Sequence, residues 1–137
     1  MANSTKQRPT LLLTRHARAR MQQRSFSQRD VDAITRCGTQ VPWDGFVLTR
    51  KDVARETNQL TKRIKEKERQ LVSLSAGKRA PHVRAEWHAV IGSIRDMTAQ
   101  IQNLRRLENR KVVVSGGCVI TCYVCSRKEL KRSLRLH

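Results

Sequence analysis

Near the start of this chain, His16, Arg20 and Arg24 recur at intervals of four. Residues four apart stack on one side of a helix, so the three would form a single stripe. An imidazole titrates nearer to neutral pH than other side chains and passes protons in either direction. A guanidinium presents a planar fork that grips two phosphate oxygens at once. Close to the other end, Thr121 and Tyr123 alternate along a β-branched run and would share one face of a strand. Together these groups suit metal-free cleavage of a phosphodiester. Such chemistry needs a base for the 2′-hydroxyl, cations for the transition state and an acid for the leaving oxygen. His16 would serve as acid or base, Arg20 as the cation, and Tyr123, with Thr121 on the same face, as a hydrogen-bond or proton donor. The plainer alternative is a solvated basic helix with a surface histidine, and a tyrosine at the edge of the core.

The charge around these residues supports a polyanionic partner. The chain has 29 Lys and Arg against 11 Asp and Glu, a net charge of +18. Residues 1–51 hold 10 basic and 3 acidic side chains, and residues 109–137 hold 7 and 1. Residues 52–108 hold 12 and 7, a far more even balance. Most of the excess, +13 of +18, therefore belongs to the two ends. Counterion release makes such a surface attract nucleic acid, with Arg15, Arg18, Arg24, Arg29, Lys111, Arg127, Lys128, Lys131 and Arg132 as the phosphate contacts. Aromatic residues make up only 4% of the chain, too few to build a stacking platform for bases. Trp43 and Trp87 read as packing residues. No segment offers the ~20 apolar residues that span a bilayer, and the Leu11–Leu13 triplet is too short for a secretion signal. A cytoplasmic protein with no membrane partner is expected.

The elements that would position these groups follow from capping and periodicity. Residues 1–10 are polar and read as loose. A helix over Thr14 to Arg24 buries Leu13, Ala17 and Met21. Ser27 followed by Asp30 is a capping box, and Phe26 with Val31 is a hydrophobic staple. The next helix therefore covers 28–37, stopped by Gly38. Pro42 and Asp44-Gly45 signal a turn, and residues 46–49 read as a strand. From Asp52 to Leu107 the apolar residues follow a four-three alternation, interrupted by SAGKRAPH at 75–82. That pattern predicts an antiparallel helical hairpin with arms of about 20 residues. Residues 111–114 and 118–125 then form a β-hairpin about Gly116-Gly117. The last twelve residues are a basic tail, frayed or a short helix. The expected whole is a single α+β domain. Its compact body is 11–51 with 109–125, its helical-hairpin insertion 52–108 and its tail 126–137.

Cys118, Cys122 and Cys125 have a metal-like spacing, with His16 or His137 available as a fourth ligand. On a regular strand, however, Cys118 and Cys122 share a face about 13 Å apart while Cys125 points away. Zinc needs all its ligands within about 2.3 Å of one centre. The expectation is reduced cysteines used as small apolar residues, with no metal and no cofactor.

The run Thr14-Arg15-His16-Ala17-Arg18-Ala19-Arg20-Met21-Gln22-Gln23-Arg24, continued by SFSQRDVDAITRCG and closed by VVVSGGCVITCY, resembles the small bacterial family known as domain of unknown function 4258. The resemblance covers about 14–50 and 110–125, leaving the helical hairpin as an elaboration. It implies two N-terminal helices on a small antiparallel sheet, with the long hairpin inserted between strands. By fold analogy that family is grouped with the barnase/EndoU/colicin/RelE-like ribonucleases. The grouping implies an RNA-directed, metal-independent, toxin-like endoribonuclease working with His, Arg and a sheet Thr or Tyr, here His16, Arg20, and Thr121 or Tyr123. Two alternatives stand beside it. One is a non-catalytic DNA- or RNA-binding protein. The other is an interaction module in which 52–108 docks on a protein partner, such as an antitoxin, or forms a homodimer.

Overall fold

The computed structural model describes residues 11–41, 44–76 and 80–135. Residues 1–10, Pro42, Trp43, the middle of the 75–82 turn and His137 lie outside them. The chain divides into two compact units, 1–53 with 107–137 and 54–106. The fold is α+β, with helices and a mixed five-stranded sheet in the first unit and a helical hairpin in the second.

The first unit begins with β1 (Leu12–Leu13), a two-residue strand that pairs in parallel with β5. Thr14 then caps α1 (Arg15–Gln23). Its hydroxyl accepts from the Ala17 N–H at 3.0 Å and donates to the Val119 carbonyl at 3.1 Å. One side chain thus starts the helix and ties it to the sheet. Ala17 and Met21 are the buried side of α1. Helix α2 (Gln28–Cys37) starts at the capping box between Ser27 and Asp30. It ends at Gly38, whose backbone is extended rather than left-handed. This glycine is needed for space: a Cβ would sit 2.4 Å from the Ile34 carbonyl oxygen and 2.8 Å from that of Val47.

Strands β2 (Thr39–Val41) and β3 (Gly45–Val47) form a tight antiparallel pair. Gly45 has a φ of 145°, and a Cβ there would strike the Val112 carbonyl, so only glycine fits. The strand expected over 46–49 stops at Val47, because Thr49 caps the next helix. Asp52 Oδ2 accepts from the Thr49 N–H at 3.0 Å and the Thr49 hydroxyl at 2.9 Å, while the Asp52 N–H donates to Thr49 Oγ1 at 3.1 Å. The same carboxylate accepts from the Thr39 hydroxyl at 2.8 Å. This buried acid therefore joins β2 to the start of α3. Asp52→Ala removes the acceptor from three donors at once. It is expected to cost about 2–3 kcal/mol, read as a lower denaturant midpoint.

Helices α3 (Arg50–Ser75) and α4 (Pro81–Arg106) have 26 residues each, longer than the arms expected. The added residues come at both ends: Arg50 and Lys51 precede Asp52 at the base, and Ser75, Pro81 and His82 of the expected turn are helical at the tip. The two helices pack as a hairpin whose core includes Leu60, Val90, Met97, Ile101 and Leu104. Among the described residues no helix is long and apolar enough to cross a membrane.

The chain returns to the sheet as β4 (Arg110–Ser115) and β5 (Cys118–Val124). Gly116 and Gly117 both have positive φ, 58° and 78°, as a two-residue hairpin turn with right-handed strand twist requires. The strand order is β1-β5-β4-β3-β2, antiparallel except for β1 with β5. The sheet is therefore mixed, not antiparallel throughout. The basic tail is a helix, α5 (Arg127–Arg135).

A bulge in β5 decides which residues face which way. Val113 pairs with Thr121 but Val114 pairs with Val119, so Ile120 is an extra residue. The row Phe46–Val112–Cys122 is buried, and Val119 joins it across the bulge. Helices α1 and α2 pack on this face, α1 against β5 and α2 against β3 and β4. The next row, Val47–Lys111–Tyr123, belongs to the opposite face. There Val41, Val47 and Cys125 form a buried cluster, with Tyr123 and Leu130 of α5 packed against it.

Candidate nucleic-acid interface

The stripe on α1 forms, but its members are engaged differently. Arg20 Nε donates to His16 Nε2 at 3.4 Å, a long contact that uses the imidazole lone pair. His16 is exposed and Arg20 half-buried. Arg24 follows the last turn of α1, and its guanidinium donates to the Cys122 carbonyl of β5. That contact lies beyond the end of β1, where β5 has no neighbouring strand on this side among the described residues. Arg24 is exposed all the same.

The other half of the expected catalytic set lies elsewhere. The Tyr123 hydroxyl donates to Glu129 Oε1 of α5 at 2.9 Å. Burial, followed by the Glu129 hydrogen bond and charge, pushes the phenol well above its ordinary range. Thr121 is half-buried and shares the Tyr123 face, two residues along the strand. The intervening Cys122 faces α1 and α2: its thiol feels the charges of Arg24 and Asp30. Alternation along β5 therefore puts Thr121 and Tyr123 on the face away from the helix that carries His16 and Arg20. The four residues do not converge on one phosphate.

Lys111 is also corrected. Expected as a phosphate contact, it is 2% exposed and its ammonium is bonded to the Asp44 carboxylate. Its partner lies 67 residues away in sequence, so strand position alone could not reveal the burial. The bulge likewise revises the cysteines. Cys118 pairs with Ser115 and so lies on the Tyr123 face, while Cys122 lies on the helix face. Cys125 lies among Val41, Val47 and Leu130. All four cysteines are free. Among the described residues no three His, Cys, Asp or Glu side chains gather where they could hold a metal.

Burial keeps the inner thiols protonated. Desolvation raises Cys122 to about 11, opposed by Arg24 and aided by Asp30. Cys125 is raised by burial and by Glu129. A raised thiol pKa favours the folded state below the unfolded pKa near 9, and that contribution disappears as pH rises through the folded value. Stability is therefore expected to fall between about pH 9 and 11, by on the order of 2 kcal/mol from Cys122. Urea midpoints measured across that range check it, and Cys122→Ala should flatten the decline.

The remaining cations are exposed on the helices. Arg15 and Arg18 lie on α1, Arg29 on α2, and Arg127, Lys128, Lys131 and Arg132 on α5. Among the described residues none of the seven side chains has a hydrogen-bond or ion-pair partner. Helices α1 and α5 adjoin β5, while α2 packs on β3 and β4. Helix α1 packs on one face of β5, and α5 starts three residues past its end and seats Leu130 on the other face. No family model, no curated protein and no solved structure matches this chain.

Proposed function

We propose that this protein binds nucleic acid, RNA in preference to DNA, through the cations of α1, α2 and α5. The observation that carries the reading is the set of seven exposed Arg and Lys side chains without a partner among the described residues. They belong to the two chain segments that hold most of the net charge of +18. Cations with no carboxylate to satisfy them neutralise phosphates and release counterions. Preference for RNA rests on the resemblance of Thr14–Arg24 and the β-hairpin to ribonuclease-like bacterial domains.

Binding without cleavage is the favoured form. His16 and Tyr123 belong to opposite sides of the sheet, and the phenol is committed to Glu129. Neither arrangement presents an acid and a base to one phosphate. The test is fluorescence anisotropy with labelled single-stranded RNA and duplex DNA over a salt series, followed by gels of the RNA after incubation in EDTA. The expected results are a linear fall of log affinity with log salt, tighter binding of RNA, and intact RNA. Affinity insensitive to salt would overturn the proposal. Cleavage in EDTA that is lost in His16→Ala would restore the ribonuclease reading.

A further inference from the structure

The helical hairpin carries a feature that nucleic-acid binding does not use. Ile64, Glu68 and Leu71 of α3 and Ile91, Ile94 and Arg95 of α4 line an open groove of about 400 Å³. Its four apolar residues are only half-buried, although the hairpin has its own buried core. Beside it Val72 is 74% exposed. Two opposite charges, Glu68 and Arg95, stand among these apolar side chains. Neither has a hydrogen-bond or ion-pair partner among the described residues.

We propose that this groove is a homodimer interface, in which two hairpins pack about a twofold axis with Glu68 of each copy paired to Arg95 of the other. An apolar strip with a carboxylate in it is a poor seat for phosphates. A twofold interface uses the same patch on both copies, so the patch must complement itself. A face bearing one carboxylate and one guanidinium with apolar residues between them meets that condition, since each charge finds its opposite after rotation. Gly92 adds a second reason. It lies within α4, next to Ile91, and a Cβ placed on it would meet nothing within 4 Å. A helix-interior glycine costs up to ~1 kcal/mol relative to alanine, and this chain's own packing does not require one. A second helix crossing closely there does use the missing side chain.

The test is sedimentation equilibrium of the full chain in high salt after nuclease treatment. The expected mass is twice 15.8 kDa. Glu68→Arg alone and Arg95→Glu alone each place like charges at both symmetric pairs, and should each weaken the dimer about tenfold or more. An equimolar mixture of the two variants should form heterodimers of near wild-type affinity, because every pair is again opposite in sign. The double variant should dimerise with itself. Circular dichroism of each variant should match wild type, separating lost association from lost helix. A wild-type monomer overturns the proposal, as does a chain that gains mass only when RNA or another protein is added. So does a dimer indifferent to the single reversals, or a mixture that fails to recover.

Discussion

Replacing Arg15, Arg18 and Arg29 together with alanine is expected to weaken binding to single-stranded RNA about a hundredfold at 0.1 M salt. Each phosphate contact on a single strand contributes about 0.7 to the slope of log affinity against log salt. Three contacts therefore contribute about two units of slope, and about two decades of affinity at 0.1 M. The three side chains are exposed and have no partner among the described residues, so their removal should leave folding stability within about 0.5 kcal/mol. That combination, a large change in binding with none in the unfolding midpoint, separates an interface from a scaffold. The matching set on α5, Arg127, Lys128, Lys131 and Arg132, should act similarly if the strand passes round the β5 edge. Loss from the first set alone would confine the RNA to the α1–α2 side. No loss from either set would remove the basis for the proposed interface.

Asp44→Asn is expected to destabilise the protein by about 2–3 kcal/mol. The Lys111 ammonium is buried and its bond is to Asp44, whose own side chain is 44% exposed. Breaking a fully buried ion pair by removing one partner costs about 3–5 kcal/mol. Solvent reaches this carboxylate and screens it, which lowers the expectation. The loss should come from the stranded ammonium rather than from the missing attraction. Lys111→Met in the same background should therefore recover most of it, since an unbranched apolar side chain fills the space beside Val47 and Tyr123. Urea unfolding of the two single variants and the double variant closes the cycle. Additive losses, with no recovery in the double variant, would mean that Lys111 is not held by Asp44.

The parts of this fold that could be read in advance are those whose causes are local. Helix α2 runs over the predicted residues because Ser27, Asp30 and Gly38 act within one turn of themselves. The β4–β5 hairpin shows through two adjacent glycines that tolerate positive φ. Thr49 and Asp52 repeat the Ser27–Asp30 spacing, so the true start of α3 was available by the same reasoning. The apolar run Phe46-Val47-Leu48 instead favours extending the strand through Thr49. Strands β1 and β2 are two and three residues long, too short for alternation to register, and exist because β5 and β3 lie beside them. The site was less legible than the fold. Thr121 and Tyr123 do share a face, but which face depends on where α1 packs. The bulge at Ile120 reverses the relation between Cys118 and Cys122 that simple alternation implies. Lys111 resembles its exposed neighbours in type, and only a carboxylate brought in from the β2–β3 turn distinguishes it.

The shortness of β1 also bears on how the protein behaves when crowded with copies of itself. Only Cys118 and Val119 of β5 are covered by that strand. Further along, Ile120 is 37% and Val124 62% exposed. An apolar strand border with no neighbouring strand, as this one is among the described residues, is a template on which a foreign chain can add itself. Two devices interrupt the template: the bulge at Ile120 breaks the regular spacing of its backbone groups, and Arg24 occupies the Cys122 carbonyl with a charged donor. Arg24, the last member of the α1 stripe, would thereby also hinder aggregation, covering a strand border that the two residues of β1 do not reach.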